Sequence, residues 1–267
     1  MKRYSLLIIV AFLAGLQAFG WSQKGHDTVA YIAETHLTSA AADSVSSLFD
    51  GYSPVYWANW LDNASHTDRY AYTKTWHYKN IDEGVPYEQA TLNPKGDVVT
   101  ATREQIRVLS DSLSTREQKV LALKILIHIV GDMHQPMHMG HLSDLGGNKT
   151  PVRFFDRDTN LHSIWDGSLM NSGHSWSYTE WANQIDRLSP EAQLLESAGN
   201  IDDWAGQTYE IATRVYNYFP KNAKVSYNQI AYWTPVIERQ VLRGGLRLAR
   251  ILNAIYDPEV ADNPADF

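Results

Sequence analysis

The sequence predicts an all-α fold: a single compact multi-helix domain with long loops and at most a small β-hairpin. Three observations point there. Apolar residues recur at helical spacing almost throughout, only Val152 to Phe155 reads as a strand, and no repeat, low-complexity tract or long charge run marks a linker between domains. With 267 residues the chain can bury one sizeable core, and without cysteine it gains nothing from disulfides.

The first segment stands apart from the rest. Lys2 and Arg3 precede an apolar run from Leu6 to Ala14, and Ala18-Phe19-Gly20 closes it with small residues spaced one apart. That order is the pattern of a secretory signal cleaved after Gly20. The run is too short to span a bilayer, so residues 1–20 are expected to be a leader rather than a membrane anchor. The domain would then be residues 21–267, beginning at Trp21. Export without cystines suits a bacterial periplasm or culture medium.

Helical patterns follow over about residues 24 to 37, 40 to 49 and 101 to 112. Ser114 and Glu117 make a capping-box pattern ahead of the apolar stretch Val120 to Val130, which Pro136 ends. Val152 to Phe155, just after Gly146-Gly147-Asn148, predicts the hairpin. Another helical pattern covers about residues 203 to 218. Pro235 then opens a segment with Ile237, Val241, Leu248, Leu252 and Ile255 on one face, where Gly245 permits close approach.

The formal net charge is −7, from 23 Lys and Arg against 30 Asp and Glu; losing Lys2 and Arg3 with the leader leaves 21 and makes it −9. Affinity for phosphate normally comes from Lys and Arg, so an acidic chain is a poor generic nucleic-acid binder. Chemistry on nucleic acid would need bound cations.

Three features have metal-ligand character. His128 and Asp132, at i and i+4 on the capped helix, leave one face a turn apart. His138 follows just beyond Pro136, and His162 with Asp166 repeats the spacing. His and Asp without thiolate argue for catalytic rather than closed structural sites. The competing reading of His128, within Leu126-Ile127-His128-Ile129-Val130, is a satisfied core histidine. An unpaired imidazole there would be costly to bury, and the recurrence of the pattern weighs towards ligands.

The run His128-Ile129-Val130-Gly131-Asp132-Met133-His134-Gln135-Pro136-Met137-His138, then Gly146-Gly147-Asn148-Lys149, then Asn160-Leu161-His162-Ser163-Ile164-Trp165-Asp166, resembles the core of the S1/P1 nuclease family. Trp21-Ser22-Gln23-Lys24-Gly25-His26, Trp60-Leu61-Asp62 and Trp76-His77-Tyr78 extend the match in the family's order. The resemblance implies an all-α fold of the phospholipase C/P1 nuclease type and a zinc-dependent hydrolase with three Zn²⁺ per chain. One zinc would be held by Asp62, His77, His128 and Asp132, and a second by His138, His162 and Asp166. A third would take the backbone amine and carbonyl of Trp21 with His26, sharing Asp132 with the first. Asp62 and Asp132 would be the catalytic carboxylates, and metal-activated water would cleave single-stranded DNA or RNA to 5′-phosphate products, with 3′-nucleotidase activity beside it.

The same resemblance implies substrate contacts from Tyr78, stacking on a base, and from Asn80 and Asn160 at the base edge; a packed tyrosine and two loop-capping asparagines are the plain alternatives. It departs at one point. Fungal relatives have arginine three residues after the aspartate matched to Asp62, where this chain has Ser65, leaving Arg69, Lys74 and Lys79 as the nearest replacement cations. His36, His66, His134, His141 and His174 read as surface or hydrogen-bonded residues, with His134 the best placed to support the ligands. The expected partners are single-stranded nucleic acid and nucleotides, acted on by a monomer. A zinc phospholipase C is the nearest competing enzyme, though it typically ends its ligand set with Glu and has a shorter gap than His138 to His162. A non-catalytic zinc-binding protein is the reading from another class.

Overall fold

The structure is a computed structural model that describes residues 21–267; the expected leader, residues 1–20, lies outside the described residues. Twelve α-helices and three short strands make up the described chain, together with short 3₁₀ segments and one π-helical turn. The helices are α1 (Gln23–Thr35), α2 (Ser39–Leu48), α3 (Pro54–Trp57), α4 (Trp60–Ala64), α5 (Val98–Ser110) and α6 (Arg116–Met133). After the loops come α7 (Leu161–Ser163), α8 (Leu169–Gly173), α9 (Tyr178–Ile185), α10 (Pro190–Ser197), α11 (Ile201–Tyr218) and α12 (Tyr227–Tyr256).

The long helices lie close to where the apolar spacing puts them. The second half of α6, from Ile125 to Met133, is buried on every side. A helix apolar all round belongs in the middle of a domain, and α1, α3, α5 and α12 all pack on it. Each Leu or Ile sealed there contributes about 1.5–3 kcal/mol of burial. α1 and α12 come so close that a Cβ on Gly245 would sit 2.5 Å from Ile32, which gives the expected role of that glycine a physical basis.

Two boundaries differ from expectation. α6 is capped one residue later, by Thr115 with Gln118 returning the bond, because Ser114 is used in a turn onto the Asp111 carbonyl. α12 begins eight residues before Pro235, at a start where the Gln229 side chain accepts from the Ser226 amide at 2.9 Å. Proline there removes the bond to the Ala231 carbonyl. Pro235 and Ala231 are both exposed, so water can take that carbonyl.

The expected hairpin forms from β1 (Pro151–Phe154) and β2 (Arg157–Asn160), antiparallel with Phe154 opposite Arg157. The sequence reading missed β3 (Ala223–Val225), which adds to the other edge of β1 in parallel and makes a sheet ordered β2-β1-β3. A three-residue strand carries too little pattern to be read from sequence. No helix among the described residues is long and apolar enough to cross a membrane.

Candidate metal centre

Five parts of the chain converge on the buried end of α6. His128 and Asp132 are fully buried there, with His128 Nε2 3.2 Å from Asp132 Oδ2. α4 brings Asp62, whose Oδ1 is 3.3 Å from His128 Nε2. The 3₁₀ segment Ala71–His77 ends on His77, whose Nδ1 is 3.0 Å from Asp132 Oδ2. α1 contributes His26, stacked on His128 at 4.0 Å between ring centroids and 3.5 Å from Asp132 Oδ1. The two oxygens of Asp132 therefore face different neighbours: His77 and His128 on one side, His26 and His138 on the other.

A second group adjoins the first. His138 stands on the 3₁₀ segment Pro136–Met139, its ring 5.1 Å from that of His162 on α7. Asp166 lies in the π-helical turn Ile164–Ser168, 3.4 Å from His162 Nε2. Such single wide turns recur at functional sites because they re-aim a side chain.

The imidazoles are aimed by their backs. Nδ1 of His128 donates to the Ala58 carbonyl at 2.7 Å, that of His138 to the His77 carbonyl at 2.6 Å, and that of His162 to the Gly146 carbonyl at 2.7 Å. A proton held on Nδ1 turns Nε2 inward as a lone pair, the form in which histidine ligates. Gly146, at φ +64, permits the turn that presents its carbonyl; a Cβ there would meet the Met137 carbonyl at 2.5 Å. Gly131 clears room for His26, since a Cβ would come within 2.9 Å of its Nδ1.

Burial disfavours charge on both His128 and Asp132, yet their mutual attraction prevails. Asp132 and Asp62 hold His128 well above the usual imidazole range, while His128 and His138 hold Asp132 well below the usual carboxylate range. His26 is driven down to about 3 by burial and by the neighbouring His128. Asp166 is pushed well above its ordinary value by burial, with only Gln135 opposing, and by Asp132 and Asp62. The cluster thus concentrates carboxylates that need positive charge.

The donor set fits divalent cations on a second ground. Both ring nitrogens of His26, Nε2 of His77 and Oδ1 of Asp132 are buried with no hydrogen-bond partner among the described residues. Orphaned polar atoms are rare in folded proteins because each costs roughly 1–3 kcal/mol. Three sets have ligand atoms within 4.8 Å of one another: His26, Asp62 and His128; His77, His128 and Asp132; His138, His162 and Asp166. The partition differs at one point from the sequence reading, since His26 groups with Asp62 and His128 as well as facing Asp132.

Trp21 is fully buried and joins the centre from α1's leading end. The Ser22 amide donates to the Asp166 carbonyl at 2.5 Å, and a Cβ on Gly25 would strike the Trp21 Cβ at 2.6 Å. Trp21, Asp62, Asn63, Arg157, Ser163 and Asp166 all line one open cleft of about 660 Å³.

The substrate-contact residues sit beside this centre with mixed geometry. Tyr78 is half-buried, and Asn80 carries a buried Oδ1 without a partner among the described residues. Asn160 caps α7, accepting from the Ser163 amide at 2.8 Å, which is the plain alternative and leaves its NH₂ for a ligand. Of the replacement cations, Lys79 is buried in an ion pair with Asp97 at 3.3 Å, Arg69 lies over Tyr70, and neither they nor Lys74 line the cleft. Ser65 is buried, its hydroxyl donating to the Asp62 carbonyl.

His36 and His174 pair with Asp186 and Glu238, His66 bonds the Asp62 carbonyl, and His141 stacks on Tyr216. His134 is a correction. Its Nδ1 donates to the Val130 carbonyl at 2.7 Å and its Nε2 accepts from Arg247 at 2.9 Å, so it supports α12 and no ligand. The side chain that does support a ligand is its neighbour Gln135, which donates to Asp166 Oδ1 at 2.7 Å while its own carbonyl accepts from the Met137 amide. Two stretches, Asn148-Lys149-Thr150 and Asn63-Ala64-Ser65, fit the N-glycosylation pattern; Asn148 is buried with its NH₂ bonded to the Leu145 carbonyl, which closes the first, whereas Asn63 is exposed.

A family model described as S1/P1 Nuclease matches residues 21–257. The chain is 33% identical to Nuclease S1 of Aspergillus oryzae over 212 residues, covering 74% of this chain and 72% of that one. It is 28% identical to Nuclease P1 of Penicillium citrinum (90% and 100% covered) and 27% identical to Endonuclease 3 of Arabidopsis thaliana (94% of each). These relatives are fungal and plant proteins, so the expectation of a bacterial source gains no support from them.

Proposed function

The chain belongs to the S1/P1 nuclease family, and from that premise we propose that it is an exported endonuclease that uses three zinc ions to hydrolyse single-stranded DNA or RNA to 5′-phosphate products, with 3′-nucleotidase activity at the same site. It is a hydrolase of phosphodiester bonds. The observation that carries the finer reading is the convergence of eight histidine and aspartate side chains into three adjoining ligand sets, with orphaned buried atoms on His26, His77 and Asp132, beside one cleft.

Asp62, His77, His128 and Asp132 would hold one ion, and His138, His162 and Asp166 a second. The third would sit with the Trp21 amine and carbonyl and His26, sharing Asp132. Support for the sharing comes from Asp132 presenting Oδ2 to His77 and His128 but Oδ1 to His26. When bound, zinc lowers the pKa of a coordinated water to about 7 and neutralises charge on a phosphate. The chain's own residues do the rest. Backbone carbonyls lock the imidazoles, Gln135 orients Asp166, and the half-buried Tyr78 offers a face for an unpaired base. Asn80 and the free NH₂ of Asn160 would meet the base edge.

An α-amine ligates only when unblocked and deprotonated, and its ordinary pKa near 8 makes that accessible at neutral pH. Removal of residues 1–20 would then complete the site, which ties export to activity. Protein with its N-terminus confirmed at Trp21 is expected to carry three zincs by elemental analysis and to cleave circular single-stranded DNA but not a phosphatidylcholine emulsion. EDTA should abolish turnover and zinc restore it, and residues left ahead of Trp21 should cost the third ion. Full activity in a zinc-free sample, or in the extended chain, would overturn the reading; zinc content without turnover would favour a storage protein, and lipid turnover a phospholipase.

A further inference from the structure

We infer that Arg157 is the side chain that grips a phosphate of the substrate in the cleft beside the metal centre, an inference that rests on the nuclease reading above. The cleft is lined by Asp62 and Asp166 from two of the ligand groups, and among the described residues Arg157 is the one cationic side chain in its lining. An anionic substrate entering there meets carboxylates already committed to metal, so a protein cation has to come from the wall.

The fold fixes where that cation stands. Arg157 opens β2 directly opposite Phe154, whose buried side chain forms part of the same wall. The hairpin tip is pinned by the Phe155 amide donating to the Val225 carbonyl at 2.8 Å and by the Phe155 ring against Tyr227, 5.0 Å between centroids. At its other end β2 runs into Asn160, the cap of α7, and from there into His162 and Asp166. The strand that carries the arginine is therefore continuous with the segment that carries two ligands.

The guanidinium is also unclaimed. Although Asp156 and Asp158 flank it in sequence, Arg157 forms no ion pair or side-chain hydrogen bond with any described residue, and it pairs with neither Asp62 nor Asp166. It can thus offer its planar fork to two phosphate oxygens without competing for the metal ligands, a geometry that lysine does not reproduce. The other nearby cations are spent or elsewhere: Lys79 on Asp97 and the Tyr87 face, Arg69 over Tyr70, and Lys74 outside the cleft.

The test compares Arg157→Gln, Arg157→Lys and the control Arg153→Gln, an exposed arginine on β1 outside the cleft lining. Binding of thymidine 5′-phosphate is measured by calorimetry, and KM and kcat on a single-stranded oligonucleotide and on bis(p-nitrophenyl) phosphate. A charge-assisted hydrogen bond at an exposed site predicts that Arg157→Gln weakens nucleotide binding and raises KM about 10-fold, with lysine recovering part and Arg153→Gln changing neither. Zinc content and Tm should stay at wild-type values, and the salt dependence of KM should flatten in Arg157→Gln. An effect on both substrates places the arginine at the reacting phosphate, and one confined to the oligonucleotide places it at a neighbouring phosphate. Wild-type binding and KM in Arg157→Gln would overturn the inference while leaving the nuclease reading intact. A wild-type protein that binds the nucleotide without turning over DNA would overturn the nuclease reading and leave the binding comparison to decide Arg157.

Discussion

Asp132 and His134 stand two residues apart at the end of the same helix, both fully buried, and the chain surrounds them in opposite ways. On the α12 side, His134 accepts from Arg247, whose remaining nitrogens donate to the Glu196 carbonyl at 3.1 Å and to Gln207 at 2.6 Å. Gln240 closes the ring by donating to the His134 carbonyl and to Thr208. Burial and the nearby Arg243 draw Arg247 down to about 9, while burial and Arg247 keep His134 neutral. On the α1 side, His26, His77 and Asp132 keep polar atoms with no hydrogen-bond partner among the described residues. A polar cluster that satisfies itself is architecture, and one that leaves donors and acceptors facing each other across a gap is built for something the chain does not contain.

The sharpest way to break that comparison is Asp132→Asn. Removing the carboxylate that faces both neighbouring ligand groups should lower activity by more than about 100-fold and reduce zinc content, since losing even an outer-shell partner of a metal typically costs 10–100-fold. The measurement is turnover of single-stranded DNA together with metal analysis. Wild-type zinc content in this variant would mean that the orphaned atoms are not a metal site.

Much of this cluster is legible in the sequence, because its spacing is local. His128 and Asp132 announce themselves at i and i+4 in an apolar helix, and an imidazole there needs a partner. His162 and Asp166 have the same spacing but reach it through a π-helical turn, which sequence periodicity does not distinguish from a regular one. Pro235 misled because its cost depends on which side of α12 faces water, a tertiary fact. Gln135 and Arg157 stayed hidden for a related reason. The first acts on a carboxylate 31 residues away, and the second gains its role only when a hairpin brings it into the wall of the cleft that Asp62 also lines. His134 looked like a supporting residue because sequence gives proximity along the chain and says nothing of the direction a side chain takes at a helix end.

A milder break is Gln135→Leu. The leucine keeps the bulk but drops both the bond to Asp166 and the cap on the Met137 amide that starts the segment carrying His138, leaving the carboxylate to burial and to its repulsion from Asp132 and Asp62. Zinc affinity at the His138, His162 and Asp166 group should fall about 10- to 100-fold, read by competition with a chromophoric chelator, while the other ions stay bound. An unchanged chelator titration would show that Asp166 is held by the fold alone.

The smallest effect on function comes from the opposite cluster. Arg247→Met removes a buried cation whose guanidinium lies over the Trp204 ring, and it takes the donor from Nε2 of His134, the side-chain oxygen of Gln207 and the Glu196 carbonyl. Of these acceptors only His134 Nε2 is sealed from water, and leaving it unsatisfied costs about 1–3 kcal/mol, so the unfolding free energy read from a urea titration should fall by about that much. Zinc content and kcat per folded molecule should hold, because nothing in this network touches a ligand. A variant that folds as well as wild type but sheds zinc would mean that the two clusters on the end of α6 are coupled, and the division between architecture and site would fail at His134.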